Sequence, residues 1–93
     1  MSDRDDLLNL WKRVEVHLRE ALAVAEVTAQ ARRLAEEYFN HNELGLTFQT
    51  LVSDLAERGA APPASVHAHL AAAASEMDLQ DDPDWHRLNA LTG

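Results

Sequence analysis

The stretch Leu44-Gly45-Leu46-Thr47-Phe48-Gln49-Thr50-Leu51-Val52-Ser53-Asp54-Leu55-Ala56-Glu57-Arg58-Gly59 decides the fold. Leu44, Phe48, Leu51, Val52 and Leu55 recur at helical spacing, so they share one inward face of a third helix in the chain. Asn42 is a residue type that caps a helix start, and Gly59 is one that closes a helix end. Pro62 and Pro63 then bar continuation, and Pro63 suits the first turn of a fourth helix with Val66, Leu70, Ala73 and Met77 on one face. Asp82 and Pro83 repeat the signal of a cap followed by proline. They predict a short fifth helix holding Trp85, Leu88 and Leu91.

Towards the N-terminus, Asn40, His41 and Asn42 interrupt the pattern after Phe39. The segment before them carries a stripe of Ala31, Leu34, Ala35 and Tyr38. A first helix is expected to open at Ser2 or Asp3, with Asp5 and Asp6 near the positive end of its dipole. Its apolar stripe is Leu7, Trp11, Val14, Leu18, Ala21, Leu22 and Ala25. At 100° per residue the two N-terminal stripes are about 120° out of phase. That mismatch predicts a break near Glu26 to Thr28, with Thr28 as the next N-cap. Sixteen Ala and 14 Leu against six Val and no Ile favour helix over sheet. The expected architecture is all-α: a small antiparallel bundle of four helices plus a short C-terminal helix acting as a lid, in one domain spanning 1–93.

Composition removes several classes of function. With 93 residues and no cysteine, the chain has no disulfide framework, thiol nucleophile or thiolate metal site, and a reducing cytoplasm is its expected location. No apolar run exceeds five residues, as in Leu70 to Ala74, far below the roughly 20 residues that cross a bilayer. The start of the chain is acidic, so neither a membrane span nor a secretory signal is expected. The histidines His17, His41, His67, His69 and His86 form no His-Glu-x-x-His pair. His67 and His69 point to different sides of a helix, and solvent-facing or capping roles are expected for all five. Adjacent carboxylates, Glu36 with Glu37 and Asp81 with Asp82, diverge by about 100° on a helix and cannot serve one reacting atom. No phosphate-cradling glycine loop or Gly-x-Ser-x-Gly turn is present. The expectation is a protein without catalysis, metal or cofactor. A net charge of −8 also opposes direct binding to nucleic acid.

The charge is unevenly placed. Residues 1–33 hold six acids and six bases, whereas residues 34–86 hold ten acids against Arg58 alone, a net of −9. Such asymmetry suggests a basic partner. On the third helix Glu43, Thr47, Thr50, Asp54 and Glu57 step by four, three, four and three. They predict an exposed stripe of acids and hydroxyls opposite the apolar face.

The run Glu36-Glu37-Tyr38-Phe39-Asn40-His41-Asn42-Glu43-Leu44-Gly45-Leu46-Thr47-Phe48, followed by Leu51 and Leu55, resembles the MafI-type immunity proteins. The shared features are a helix ending in an Asn-His-Asn-Glu corner, a Leu-Gly-Leu start to the next helix, and a proline-initiated helix ending near Met77, Asp78 and Leu79. They cover about residues 34 to 79, half of the chain. The resemblance implies a small helical protein, encoded beside a secreted polymorphic toxin, that binds and blocks the toxin domain, often a basic nuclease. Residues 1–33 carry no such resemblance. In the corner itself, capping by Asn42, a first-turn position for Glu43 and close helix approach at Gly45 are also expected on structural grounds alone. Glu36, Glu37, Glu43, Asp54 and Glu57 are the expected partner-binding residues. The alternative is a self-associating helical adaptor without a toxin partner, pairing as a homodimer through Trp11, Phe39 and Trp85.

Overall fold

In the computed structural model, which describes residues 3–92, the Ala and Leu excess is expressed mainly as helix. Five helices appear among the described residues: α1 Asp3–Val24, α2 Ala29–Asn40, α3 Leu44–Arg58, α4 Ala64–Met77 and α5 Pro83–Thr92. Ser2, the other expected start of α1, lies outside the described residues, as does Gly93. No strand occurs among the described residues. The architecture is the expected small all-α bundle.

The helix ends follow local chemistry. The chain breaks at Ala25 to Thr28, and the Thr28 hydroxyl accepts the Ala31 N–H at 3.1 Å, as an N-cap should. Gly59 closes α3 with a left-handed φ of 71°. Asp82 caps α5 by accepting the N–H groups of Asp84 and Trp85 on Oδ1. Pro63 sits one residue earlier than expected, before the first turn of α4 and not within it.

Asn42 serves the opposite helix end from the one expected. Its φ is 56°, its N–H bonds to the Phe39 carbonyl, and the Glu43 N–H reaches back to the Tyr38 carbonyl at 2.9 Å. This paired closure terminates α2, because asparagine tolerates the left-handed conformation that such a terminus needs. Glu43 takes the N-cap position of α3, with no side-chain capping bond, and so stands outside the first turn. Gly45 was expected to permit close helix approach. A methyl group there would meet no atom of another helix within 4 Å, so no close helix approach requires the glycine.

The core gathers around α3, which touches each of the other four helices. Leu44, Phe48, Leu51, Val52 and Leu55 are all buried. Val14, Leu18, Ala21 and Leu22 from α1 meet them, as do Val66, Leu70 and Ala73 from α4. Arg13 pairs with Glu76 at 3.2 Å and His17 bonds to His69 at 3.0 Å, so α1 and α4 run antiparallel. The fifth helix is more than a lid, since Trp85 and Leu88 are buried and belong to the core. Leu91 is exposed because it lies beyond that contact.

Other inward assignments also fail at the edges of the bundle. On α2 the buried set is Ala31, Ala35 and Phe39, while Leu34 is exposed and Tyr38 is half-buried. Phe39 is held inside with the Arg19 guanidinium 4.2 Å above its ring centre. On α1, Leu7 and Trp11 remain 49% and 42% exposed. They are on the expected side of the helix, but the first turns of α1 run past the end of α4. Arg13 already faces Glu76, next to the last residue of α4.

Candidate functional site

Helices α2 and α3 lie side by side, and the start of α5 closes the channel between them. The result is an open groove of about 520 Å³. Ala31, Leu34, Tyr38 and Leu46 supply its apolar surface, and Asp54, Glu57, Asp82 and Asp84 supply four carboxylates. No Lys, Arg or His lines it. Arg58, the one base of the acidic segment, turns away and donates to the Glu26 carbonyl, with its other terminal nitrogen 3.5 Å from the Glu26 carboxylate.

The four acids differ in how far they are occupied. Asp54 accepts the Thr28 hydroxyl at 2.9 Å and the Thr28 N–H at 3.1 Å. Asp82 is held by the N-terminal N–H groups of α5 and by Gln49 at 3.4 Å. Those donors are neutral, so both carboxylates keep their charge uncompensated by a full positive charge. Asp84 is neutralised in part by Arg87 at 2.8 Å. Glu57 is exposed and has no ion pair among the described residues.

Of the five residues expected at an interface, the groove brings together Asp54 and Glu57. Glu37 falls on the same side of α2 as Gln30 and Leu34, seven and three residues earlier, so it stands near the rim. Glu36 faces α1, with its carboxylate 4.0 Å from Arg19. Glu43 is exposed at the far end of α3, about 21 Å along the helix axis from Glu57. The expected exposed stripe is also broken. Thr47 is fully buried and donates its hydroxyl to the Glu43 carbonyl, and Thr50 is half-buried. Their side of α3 is not free, because α3 is packed from several directions.

Sequence reasoning missed Leu34 and Leu46 as exposed apolar residues and did not place Asp82 and Asp84 beside Asp54. The α5 acids were visible in the net charge of residues 34–86, but no local signal brings them to α3. It also missed what secures the corner next to the groove. Arg32 donates to the Leu22 and Ala25 carbonyls at 3.1 and 3.3 Å, satisfying orphan acceptors at the end of α1. Arg32, Asp54 and Arg58 together hold the α1–α2 connection.

The Thr28 and Asp54 contacts give a direct test of that corner. Thr28→Ala removes a cap and should cost about 1 kcal/mol. Asp54→Ala should cost about 1 to 2 kcal/mol. Because the two side chains share one hydrogen bond, the double variant should lose less than the sum of the single losses in urea unfolding. Strict additivity would show that the contact does not operate in solution.

The histidines are more structural than expected. His17 and His69 form the half-buried contact between α1 and α4, and His67 stacks on Trp85 with ring centres 5.1 Å apart while bonding to Asn89. His41 and His86 are exposed. His67 and His69 do diverge, one towards α5 and the other towards α1. Among the described residues no group of three or more His, Cys, Asp or Glu could hold a metal ion. No helix among them is long and apolar enough to cross a membrane. Comparison with protein families, with curated proteins and with solved structures found no match for this chain.

Proposed function

We propose that the protein is an inhibitor of the immunity type, which binds a basic toxin domain and blocks it by occupying its surface, without a chemical step. The observation that carries this reading is the groove between α2 and α3, with four carboxylates, no lining base and an apolar strip of Leu34, Tyr38 and Leu46. An acidic field speeds capture of a cationic partner, and the exposed apolar residues offer anchors that water leaves on contact. The resemblance of residues 34–79 to MafI-type immunity proteins points the same way. In this reading Asp54, Glu57 and Glu37 face the partner directly. Glu36 and Glu43 contribute through the field. The adaptor alternative loses two of its three anchors, because Phe39 and Trp85 are 4% and 5% exposed.

The test is co-expression with each small basic effector domain that the neighbouring genes encode, together with stopped-flow binding of the purified pair. Asp54→Lys is unsuitable because it would dismantle the Thr28 corner. Glu37→Lys with Glu57→Lys is the cleaner variant, since both side chains are exposed and should leave stability within about 0.5 kcal/mol of wild type. Its association rate at low salt should fall by about tenfold or more, and the wild-type rate should drop steeply as salt is added. Leu46→Arg should weaken binding by obstructing the apolar strip. A wild-type protein that gives no protection and no complex sinks the proposal. Full binding by all of these folded variants moves the interface elsewhere.

A further inference from the structure

The overhanging start of α1 presents a second surface, separate from the groove. Leu7, Leu8 and Trp11 are exposed there at 49%, 49% and 42%. A cleft of about 300 Å³ lies alongside, bounded by Leu8, Trp11, Lys12 and Glu15 of α1 and by Asn42 and Leu44 at the α2–α3 corner. Arg13 of α1 reaches Glu76, next to the last residue of α4, so the turns before it lie past the end of α4 and beside the α2–α3 corner. An apolar stripe that continues past the end of the helix it packs on leaves part of its face unfilled.

Charge order identifies the occupant. Arg4, Leu8, Trp11 and Glu15 step by four, three and four, which places them on one face of α1 with a cation at one end and an anion at the other. If two copies of this helix cross antiparallel at a point between Leu8 and Trp11, Leu8 of each meets Trp11 of the other. Arg4 of each then meets Glu15 of the other. A parallel crossing would instead set Arg4 against Arg4 and Glu15 against Glu15. Arg4 forms no ion pair among the described residues, while Glu15 already accepts Arg19 at 2.8 Å and keeps a second oxygen. The wider charge distribution agrees. Residues 1–33 balance six acids with six bases, so two molecules of net charge −8 can meet through α1 while their acidic segments stay apart.

We infer that the N-terminal half of α1 is a self-association surface, on which a second copy of this chain packs antiparallel through Leu8 and Trp11 and is registered by Arg4 and Glu15. The contact is isologous and closes at two copies. It leaves the groove between α2 and α3 of both copies open, so its success or failure is independent of toxin binding.

Sedimentation equilibrium of the purified full chain from micromolar to millimolar concentration is the test. Wild type should pass from monomer to dimer, with Trp11 emission moving to shorter wavelength while the buried Trp85 contributes a constant background. Leu8→Glu should raise the dimer dissociation constant by at least about tenfold. Arg4→Glu and Glu15→Arg should each weaken the dimer by several-fold, and the double exchange should recover most of the loss, because it restores the pairing with the signs reversed. Circular dichroism controls for folding, and the charge variants, at positions outside the core, remain informative if Leu8→Glu does not fold. A wild type that stays monomeric throughout overturns the inference. So does a dimer indifferent to these substitutions, or one in which the exchange recovers nothing.

Discussion

Phe48→Ala should destabilise the protein by about 3 to 5 kcal/mol, the usual range for removing a buried aromatic side chain. Phe48 is fully buried at the centre of α3, and its ring meets that of Trp85 at 5.8 Å with a 55° tilt. Truncation leaves a cavity where α3 meets α5, walled by side chains that other contacts hold in place, so the space cannot simply close. Leu51→Ala, also fully buried on α3, should cost about 2 to 5 kcal/mol for the same reason. Small domains have only about 5 to 15 kcal/mol in total, and a loss of 3 kcal/mol lowers the melting point by more than about 12 °C. Thermal and urea unfolding followed by circular dichroism check both variants. A melting point within a degree or two of wild type would mean that this face of α3 is not the core.

The two tryptophans should respond in opposite ways, which makes Trp85→Ala the second large effect. Trp85 is packed between Phe48 and the His67 ring, which lies nearly parallel to the indole at 16°. Its replacement should cost about 3 to 5 kcal/mol. The loss should appear first in α5, because a helix this short has little stability apart from its packing. Amide exchange in α5 should therefore accelerate more than in α1 and α4. Trp11→Ala removes a side chain that is 42% exposed and outside the buried core, and the monomer should lose no more than about 1 to 2 kcal/mol. Equal losses for the two variants would contradict the assignment of Trp11 to a surface and Trp85 to the core.

The parts of the candidate site that were legible in advance are those with a local signature. Thr28 was readable as a cap because the apolar stripes on either side of it are out of phase. The same side chain then proves to be the anchor for Asp54, 26 residues away. Asp54 and Glu57 were readable as a pair on one side of α3, since a three-residue step keeps them together. Asp82 was readable as the cap of α5 but not as a wall of the groove, because a cap concerns only its own helix. Glu43 looked equivalent to Asp54 and Glu57 by phase alone. Its distance along the axis separates it from them.

The sequence by itself determined the helical class, the phase of each helix and most of the stops, because 3.6-residue periodicity, caps and proline act within a few residues of one another. It could not place Asn42, whose residue type suits either a helix start or a left-handed helix end. Only the bonds from Asn42 and Glu43 back to Phe39 and Tyr38 choose between them. Tertiary structure alone decided which in-phase residues find a partner. Thr47 is buried because α3 is enclosed by four neighbours, while Leu7 and Trp11 are exposed because α1 outruns α4. The groove belongs to the same class of fact, since Leu34, Leu46, Asp54 and Asp84 come from three different helices. Helical phase is set by the bonds of a single chain segment, whereas overlap, enclosure and the gap between helices depend on how separate segments are set against one another.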